Sequence, residues 1–397
     1  MVGLSLALLL AQQKRWRIIV LESRPLETGA EYSPSFDARS TALSWSSRKI
    51  FQAIDIWPEI ERHAAAIGQI HVSDRGHIGQ TRIEAQEAGV EALGYVVENS
   101  YLGSILFHRA GDSDIQLCGS TRVTDIKPLA ESMQLSVENQ QQTDSTVTQI
   151  NSKLLIIADG TGSASAQKLG IQQHSKPYGH SAIIANIGLE DCHRGIAYER
   201  FTDQGPMAIL PLTNFDNRPR AALVWTQPTE LAERLMDADD SSFLNALQDR
   251  FGFRMGRFTG LGDRVSYPLA LTTTEEQVRR RLVVIGNAAH SLHPVAGQGF
   301  NLSLRDIAAL AEILAKCPLD ADIGALHNLQ QYATQQAADQ RRTIILSDSL
   351  PKLFGLSSSA VALGRNSGLL LMDLIPPLRN NFARLGMGLN NPQADYG

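Results

Sequence analysis

Apolar positions along this chain follow two periods, and the change from one to the other marks its most informative stretch. Leu282, Val283, Val284 and Ile285 form an unbroken apolar run that predicts a buried strand. Beyond a glycine-rich turn, Phe300, Leu302, Leu304, Ile307, Ala308, Leu310 and Ala311 recur at helical spacing. The strand has to stop at Gly286 and turn through Gly297 and Gly299 before the helix begins. Backbone N–H groups at such a helix start have no internal partner, so the end attracts anions and electron-rich oxygens. An ordinary strand-to-helix turn has the same skeleton. This one also carries Pro294, Gln298, Asn301 and the pair Arg305-Asp306, more polar chemistry than a simple turn requires.

Taken from the start, Met1 to Gln13 predicts a buried helix, followed by a short turn and a strand from Arg17 to Leu21 that ends in Glu22. Helix, turn, apolar strand and terminal acid match the latter part of a βαβ dinucleotide unit, in which the acid bonds a ribose hydroxyl. The glycine fingerprint of such a unit follows a first strand, yet here only its last glycine, Gly3, is represented. A truncated N terminus is therefore expected, with apolar surface exposed on both neighbours of the absent central strand. Ser23 to Ser40 predicts a loop, Ser40 to Ile56 an amphipathic helix closed by Trp57-Pro58, Ile70 to Ala85 a hairpin, and Tyr95 to Phe107 a strand running into a helix. Short strands fill Ile115 to Ile157, with the polar stretch Glu138 to Ser145 as a hairpin loop. Asp159-Gly160 closes the last of them, and Ser163 opens a helix. Residues 178–271 predict a separate, mostly antiparallel unit with two helices near Thr229–Met236 and Ser241–Phe251. Ala309 to Leu389 predicts helix throughout, interrupted at Pro376-Pro377.

Composition narrows the class. At 397 residues the chain holds two or three structural units. We divide it into a nucleotide-binding framework at 1–177 and 272–320, an inserted unit at 178–271 and a helical region at 321–397. A net charge of −5 gives no electrostatic case for nucleic acid, and 43% hydrophobic with 19% charged residues is ordinary globular composition. Cys118, Cys192 and Cys317 are odd in number and widely spaced, which excludes a disulfide framework or a cysteine metal site and favours a reducing cytosol. His71 and His77 lack a third ligand type nearby, so no metal is expected. The first apolar segment has neither the basic start nor the cleavage site of a signal peptide, and no run reaches the roughly 18 apolar residues of a membrane span.

The stretch GNAAHSLHPVAGQGFNLSLRD, Gly286 to Asp306, resembles the flavin-binding signature of the single-component FAD-dependent aromatic hydroxylases related to p-hydroxybenzoate hydroxylase. HPVAGQGFNL is similar to their ubiquinone-biosynthesis branch. Asn287, where most relatives carry Asp, resembles the 2-polyprenyl-6-methoxyphenol hydroxylase members. So do HVSDRGH (His71 to His77), ERFT (Glu199 to Thr202), LVW (Leu223 to Trp225) and YPLAL (Tyr267 to Leu271). The resemblance covers nearly the whole chain. It implies an α/β fold: a Rossmann-like FAD-binding domain with an inserted, mostly antiparallel β-sheet substrate domain and C-terminal helices.

It also implies FAD as cofactor, NAD(P)H as electron donor and molecular oxygen as co-substrate. The activity implied is ring hydroxylation of a polyprenylated phenol by way of a flavin hydroperoxide. Another ring-position hydroxylase of that pathway, or a flavin-less assembly subunit, are the alternatives. Residue by residue, the resemblance assigns cofactor contacts to Gly3, Glu22, Arg39, Val123, Asp159, Asn287, Gly297, Gln298, Gly299, Phe300 and Asn301, and puts Pro294 beside the substrate ring. Gln167-Lys168 stands where relatives carry an arginine. Phe201, Met207, Leu210, Trp225 and Tyr267 are candidates to line a lipophilic phenol pocket, and His290 and His293 are available for proton chemistry. The apolar runs Leu350–Leu356 and Val361–Leu374 offer either a tunnel or membrane-facing mouth for a polyprenyl tail, or packing against the flavin domain or a partner. Expected partners are the phenol, proteins of the ubiquinone pathway and, peripherally, the inner membrane; the expected location is cytoplasmic.

Overall fold

The computed structural model of the chain describes residues 1–26, 39–141, 147–355 and 358–389. Most of the loop expected between Ser23 and Ser40, and residues 142–146 of the expected hairpin loop, lie outside the described residues.

The nucleotide-binding half is built from parallel pairs. Helix Val2–Ala11 leads to strand Ile18–Leu21, as its apolar pattern predicts. That strand pairs in parallel with Ile115–Cys118, and Leu155–Ile157 pairs in parallel with Leu282–Val284. Ile18–Leu21 and Leu155–Ile157 each have one strand neighbour among the described residues, and both border the same cavity. All four residues of Ile18–Leu21 stay half-buried. Leu6 to Leu10 of the first helix are fully covered, packed with helices Asn99–Gly111 and Gln298–Lys316 into the main core. Three antiparallel strands, Thr121–Pro128, Met133–Asn139 and Val147–Ser152, form a flap beside it.

Two local expectations are corrected. Ser40–Ser44 is a strand, paired antiparallel with Gly94–Glu98, and the helix begins only at Trp45. Its partner strand lies about fifty residues on, a pairing that local periodicity does not reveal, whereas Ser44 shows where the helix starts: its Oγ accepts the Ser47 N–H at 3.3 Å. Trp57-Pro58 opens the next short helix, Trp57–Glu61, instead of closing the previous one. Proline in the first helical turn gives up an N–H that has no partner there anyway.

The second half is a nine-stranded sheet. Its order is His290–Ser291, Val265–Thr274, Gln173–Leu189, Arg220–Pro228, Gly205–Pro211, Ile196–Thr202, Gln69–Asp74 and Gln80–Glu84, with Phe258–Leu261 pairing Gln173–Leu189 off this path. Residue 178 falls inside strand Gln173–Leu189, and the hairpin around Gly76 joins from the framework side by parallel pairing with Ile196–Thr202. Side chains alternate across the sheet. Ile183, Ile187, Met207, Ile209 and Trp225 pack against helices Thr229–Asp237 and Asp240–Phe251, while Ala182, Ile184, Phe201, Leu210 and Val224 face the cavity. Met207 and Trp225 therefore do not line a pocket: they are cross-strand partners on the helix-covered face, at 0% and 2% exposure.

Helices Leu326–Gly355, Ser359–Leu374 and Pro376–Gly386 close the molecule, separated from Gln298–Lys316 by a non-helical connection where continuous helix was expected. The halves are tied together by Glu98, whose carboxylate accepts from Arg220 Nη2 at 2.6 Å, Arg220 Nη1 at 3.1 Å and Asn186 Nδ2 at 3.0 Å. Among the described residues no helix is long and apolar enough to cross a membrane.

Candidate active site

A cavity of about 2830 Å3 runs between the two halves. The eleven residues assigned to cofactor contact by resemblance, and Pro294, all border it. It is larger than the roughly 300–1,000 Å3 that a drug-sized ligand needs, and strands Ile18–Leu21 and Leu155–Ile157 form part of its lining.

The floor of the cavity is the start of Gln298–Lys316, and glycines shape it. Gly297 sits at φ +60°, the left-handed region, and no side chain caps the helix behind it. A Cβ at Gly297 would come within 3.2 Å of Ala42 Cβ, whereas Gly299 has open space where its side chain would be. Gly160 and Gly162, at φ +86° and +72°, likewise face open space in the turn after Leu155–Ile157. Gly3 packs its helix against Ala158, whose Cβ lies 3.2 Å from the position of a Cβ on Gly3. Gly3 thus lets its helix approach the turn that follows Leu155–Ile157.

The polar residues divide into anchors and cavity-facing groups. Asn301 is 1% exposed and fully engaged: Oδ1 accepts from Ser44 N at 2.8 Å and Ser47 Oγ at 2.7 Å, and Nδ2 donates to Ala42 O at 2.7 Å and Gly297 O at 2.8 Å. Its side chain thus fixes the helix start to Ser40–Ser44. Arg305 pairs with Asp339 at 2.6 Å, and Asp306 accepts from His290 at 2.7 Å and Gln340 at 3.0 Å. The Arg-Asp pair noticed in the sequence therefore locks helix Leu326–Gly355 to the floor. Gln298 donates to Gly386 O at 3.3 Å, reaching the last helix.

Asn287 is exposed in the turn after Leu282–Val284, and Asp159 is exposed with one oxygen accepting the Ser165 N–H at 3.1 Å. Glu22 accepts the Arg24 N–H at 3.1 Å, and the Arg39 guanidinium lies 5.0 Å from the centre of the Tyr267 ring. Val123 is half-buried on the flap. The Pro294 carbonyl accepts the Gly297 N–H at 3.0 Å, which uses one of its two lone pairs.

His293 borders the cavity at 2% exposure. Burial, with a smaller push from His180, lowers its pKa from 6.5 to about 4, against an opposing pull from Asp348. The Val295 N–H donates to its Nδ1 at 3.3 Å, so the neutral ring carries its proton on Nε2. An unfolded chain takes up this proton near pH 6.5, whereas the folded one resists until about pH 4. The stabilisation is complete above pH 6.5 and is lost as pH falls through that window, roughly 3 kcal/mol in all. We expect His293→Phe to flatten the pH dependence of urea unfolding between these limits; an unchanged slope would refute this assignment.

The structure also identifies residues that sequence patterns missed. Asp74, in the HVSDRGH segment, is 4% exposed and accepts from Arg365 Nε at 2.8 Å and Asn366 Nδ2 at 3.2 Å, holding helix Ser359–Leu374 over the cavity. Glu98 and the serines of Ser44–Ser47 are equally central. Their only sequence signal was polarity at positions next to apolar runs.

An uncapped helix start, two open glycine turns and exposed Glu22, Asp159 and Asn287 around one large cleft suit a dinucleotide, with unpaired N–H groups for its charged oxygens and no side chain in the way. The arrangement defines a nucleotide-binding framework with a sheet domain closing over it. The FAD binding domain family matches residues 1–339. Ubiquinone hydroxylase UbiL of Rhodospirillum rubrum is 32% identical over 393 residues, covering 98% of this chain and 87% of that protein. The human mitochondrial ubiquinone biosynthesis monooxygenase COQ6 is 27% identical, covering 91% and 85%. Among solved structures, p-nitrophenol 4-monooxygenase PnpA of Pseudomonas putida shares the fold, with a TM-score of 0.76 at 16% identity over 98% of this chain and 96% of that one. The chain belongs to this family, the FAD-dependent monooxygenases built on an FAD binding domain.

Proposed function

We propose that the protein hydroxylates the ring of a polyprenylated phenol, 2-polyprenyl-6-methoxyphenol, in ubiquinone biosynthesis. The observation that carries this reading is the lining of the cavity. The same cavity that borders the glycine floor also borders an apolar cluster of Phe201, Val295, Phe354, Leu369 and Met372. A polar cradle and an apolar lining in one cavity suit a ring held beside a flavin, with a hydrocarbon tail trailing away. The names of the relatives from Rhodospirillum and human point to the same pathway.

In this reading Glu22 holds a ribose, Arg39 the pyrophosphate or ribityl chain, and the Val123 backbone the adenine end. Asp159 and Asn287 flank the flavin, while the N–H groups of Gly299, Phe300 and Asn301 favour negative charge at its carbonyl edge. When bound, FAD takes a hydride from reduced nicotinamide and transfers one atom of O2 to an electron-rich ring, the other leaving as water. The chain's own work is to hold the phenol close and keep water out. Pro294 sits beside the ring, and neutral His293 offers its Nε2–H to the phenol oxygen.

The test is turnover by FAD-loaded protein with a short-chain 2-alkyl-6-methoxyphenol under isotopically labelled oxygen. One labelled hydroxyl on the ring is expected, its position read by NMR. Nicotinamide oxidation that the phenol does not stimulate, with no labelled product, would overturn the reading.

A further inference from the structure

We infer that the outer face of helix Ser359–Leu374, with the Ile375–Leu378 corner, docks onto the surface of a lipid bilayer and presents the mouth of the cavity to it. The inference rests on the polyprenylated-phenol reading and adds where the tail enters.

Leu363, Leu371 and Leu374 are 70%, 51% and 75% exposed, and Ile375 and Leu378 beside them are 40% and 51% exposed. Leu363, Ser367, Leu371 and Leu374 recur at intervals of three or four, so they share one face of the helix. Rotation cannot bury that face. On the opposite side Arg365 donates to Asp74, and Asn366, at the edge of the buried side, accepts the Gly79 N–H at 2.8 Å and donates to Asp74; both Asp74 and Asn366 are buried. A helix clamped through its polar side has its leucines fixed outward.

Residues that border the cavity reach the surface here. Gly364 and Gly368, one turn apart, both border it and are exposed, with no atom within 4 Å of where their side chains would begin. Leu353 and Leu378 border the cavity and are also exposed, at 42% and 51%. The mouth is thus a notch between glycines, framed by aliphatic side chains. A protein seated on those leucines would seal the notch, and protein interfaces favour aromatic and arginine anchors over plain aliphatics. A bilayer leaves the entrance open and is the medium in which a polyprenyl tail is already dissolved, so the tail passes from lipid to cavity without crossing water. With a net charge of −5 the chain has no electrostatic pull toward anionic lipid, so docking is by apolar insertion.

The experiment is flotation of the full chain with neutral phosphatidylcholine vesicles. Binding is expected, little changed by salt, and Leu363→Glu/Leu371→Glu/Leu374→Glu is expected to weaken it at least tenfold without altering the melting temperature or turnover of a water-soluble short-chain phenol. Turnover of a long-chain phenol embedded in the vesicles should fall in parallel. If the triple variant melts early, Leu374→Glu alone, at the most exposed position, should still weaken binding severalfold. The inference is overturned if the parent does not float, if the variant floats equally well, or if the patch proves to be buried between copies of the chain, seen as a parent oligomer that the variant dissociates. Vesicle binding that persists while no phenol is turned over would sink the substrate reading and leave the docking surface standing.

Discussion

Replacing Gly299 by tryptophan is expected to leave the protein folded and to weaken its binding of FAD by about 100-fold or more. The two glycines of the turn differ in what they do. Gly297 occupies the left-handed region, and a Cβ there would stand only 3.2 Å from Ala42 Cβ, so a side chain strains the backbone by about 1–2 kcal/mol and disturbs the packing. Gly299 is already helical, and its missing side chain points into open space bordering the cavity. The Cβ of a tryptophan at that position meets no protein atom within 4 Å, the ring extends toward the cavity, and a glycine is removed from a helix, so the melting temperature of the apoprotein should hold or rise slightly. The indole would, however, stand over the free N–H groups that receive the cofactor. Loss of two hydrogen bonds to a charged acceptor, each worth about 1.5–3 kcal/mol, lowers affinity by about 100-fold or more. Flavin fluorescence quenching on titration of the apoprotein reads this directly. A variant that melts normally and binds FAD like the parent would show that the cofactor does not lie on this helix start.

Much of the site was legible because its residues lie close together in sequence. Gly286 to Asn301 announces a strand, a turn and an uncapped helix start within a few residues, and local chemistry suffices to read it. Gly3 and Glu22 were legible for the same reason, one at the start of a helix and the other at the end of a strand. What local reading missed depends on distant partners. Ser40–Ser44 became strand because Gly94–Glu98 pairs with it, and Met207 and Trp225 left the pocket because sheet parity turns them toward two helices. The Asp74 clasp joins positions almost three hundred residues apart, and nothing near His71–His77 announces Arg365. The hairpin around Gly76 likewise joins the second sheet through a parallel pairing that no sequence interval predicts. Side-chain roles within a legible motif were also hidden. Asn301 and the Arg305-Asp306 pair read as ligand chemistry, yet their side chains hold the floor of the cavity to its surroundings.

That last distinction makes Asp306 the position where stability and function should fall together. Asp306 and His290 are each 1% exposed and 2.7 Å apart, and Gln340, itself bonded to Gln277 at 3.0 Å, donates to the other carboxylate oxygen. Asp306→Leu strands the imidazole in the core and takes one of its acceptors from the Gln340 amide, which keeps its reciprocal pair with Gln277. One buried polar group without a partner and one lost charge-assisted bond destabilise by about 2–4 kcal/mol in total, a fall in melting temperature on the order of 5 °C. Asp306→Asn keeps an oxygen for His290 and, once the Gln340 amide turns over, a donor for its oxygen, so it should lose only about 1 kcal/mol. Replacing both partners, His290→Leu with Asp306→Leu, removes the stranded imidazole and should recover part of the loss, the pattern that separates a coupled pair from two independent contacts. The functional consequence follows from geometry: His290 closes the turn that carries Asn287 and leads to Pro294, so freeing it loosens the cofactor-facing loop even where the protein stays folded. FAD affinity measured at low temperature should therefore drop about tenfold in Asp306→Leu, about 1.4 kcal/mol, and stay close to the parent in Asp306→Asn. Equal affinities in both variants would mean that the pair holds the helices together and leaves the loop's position to other contacts.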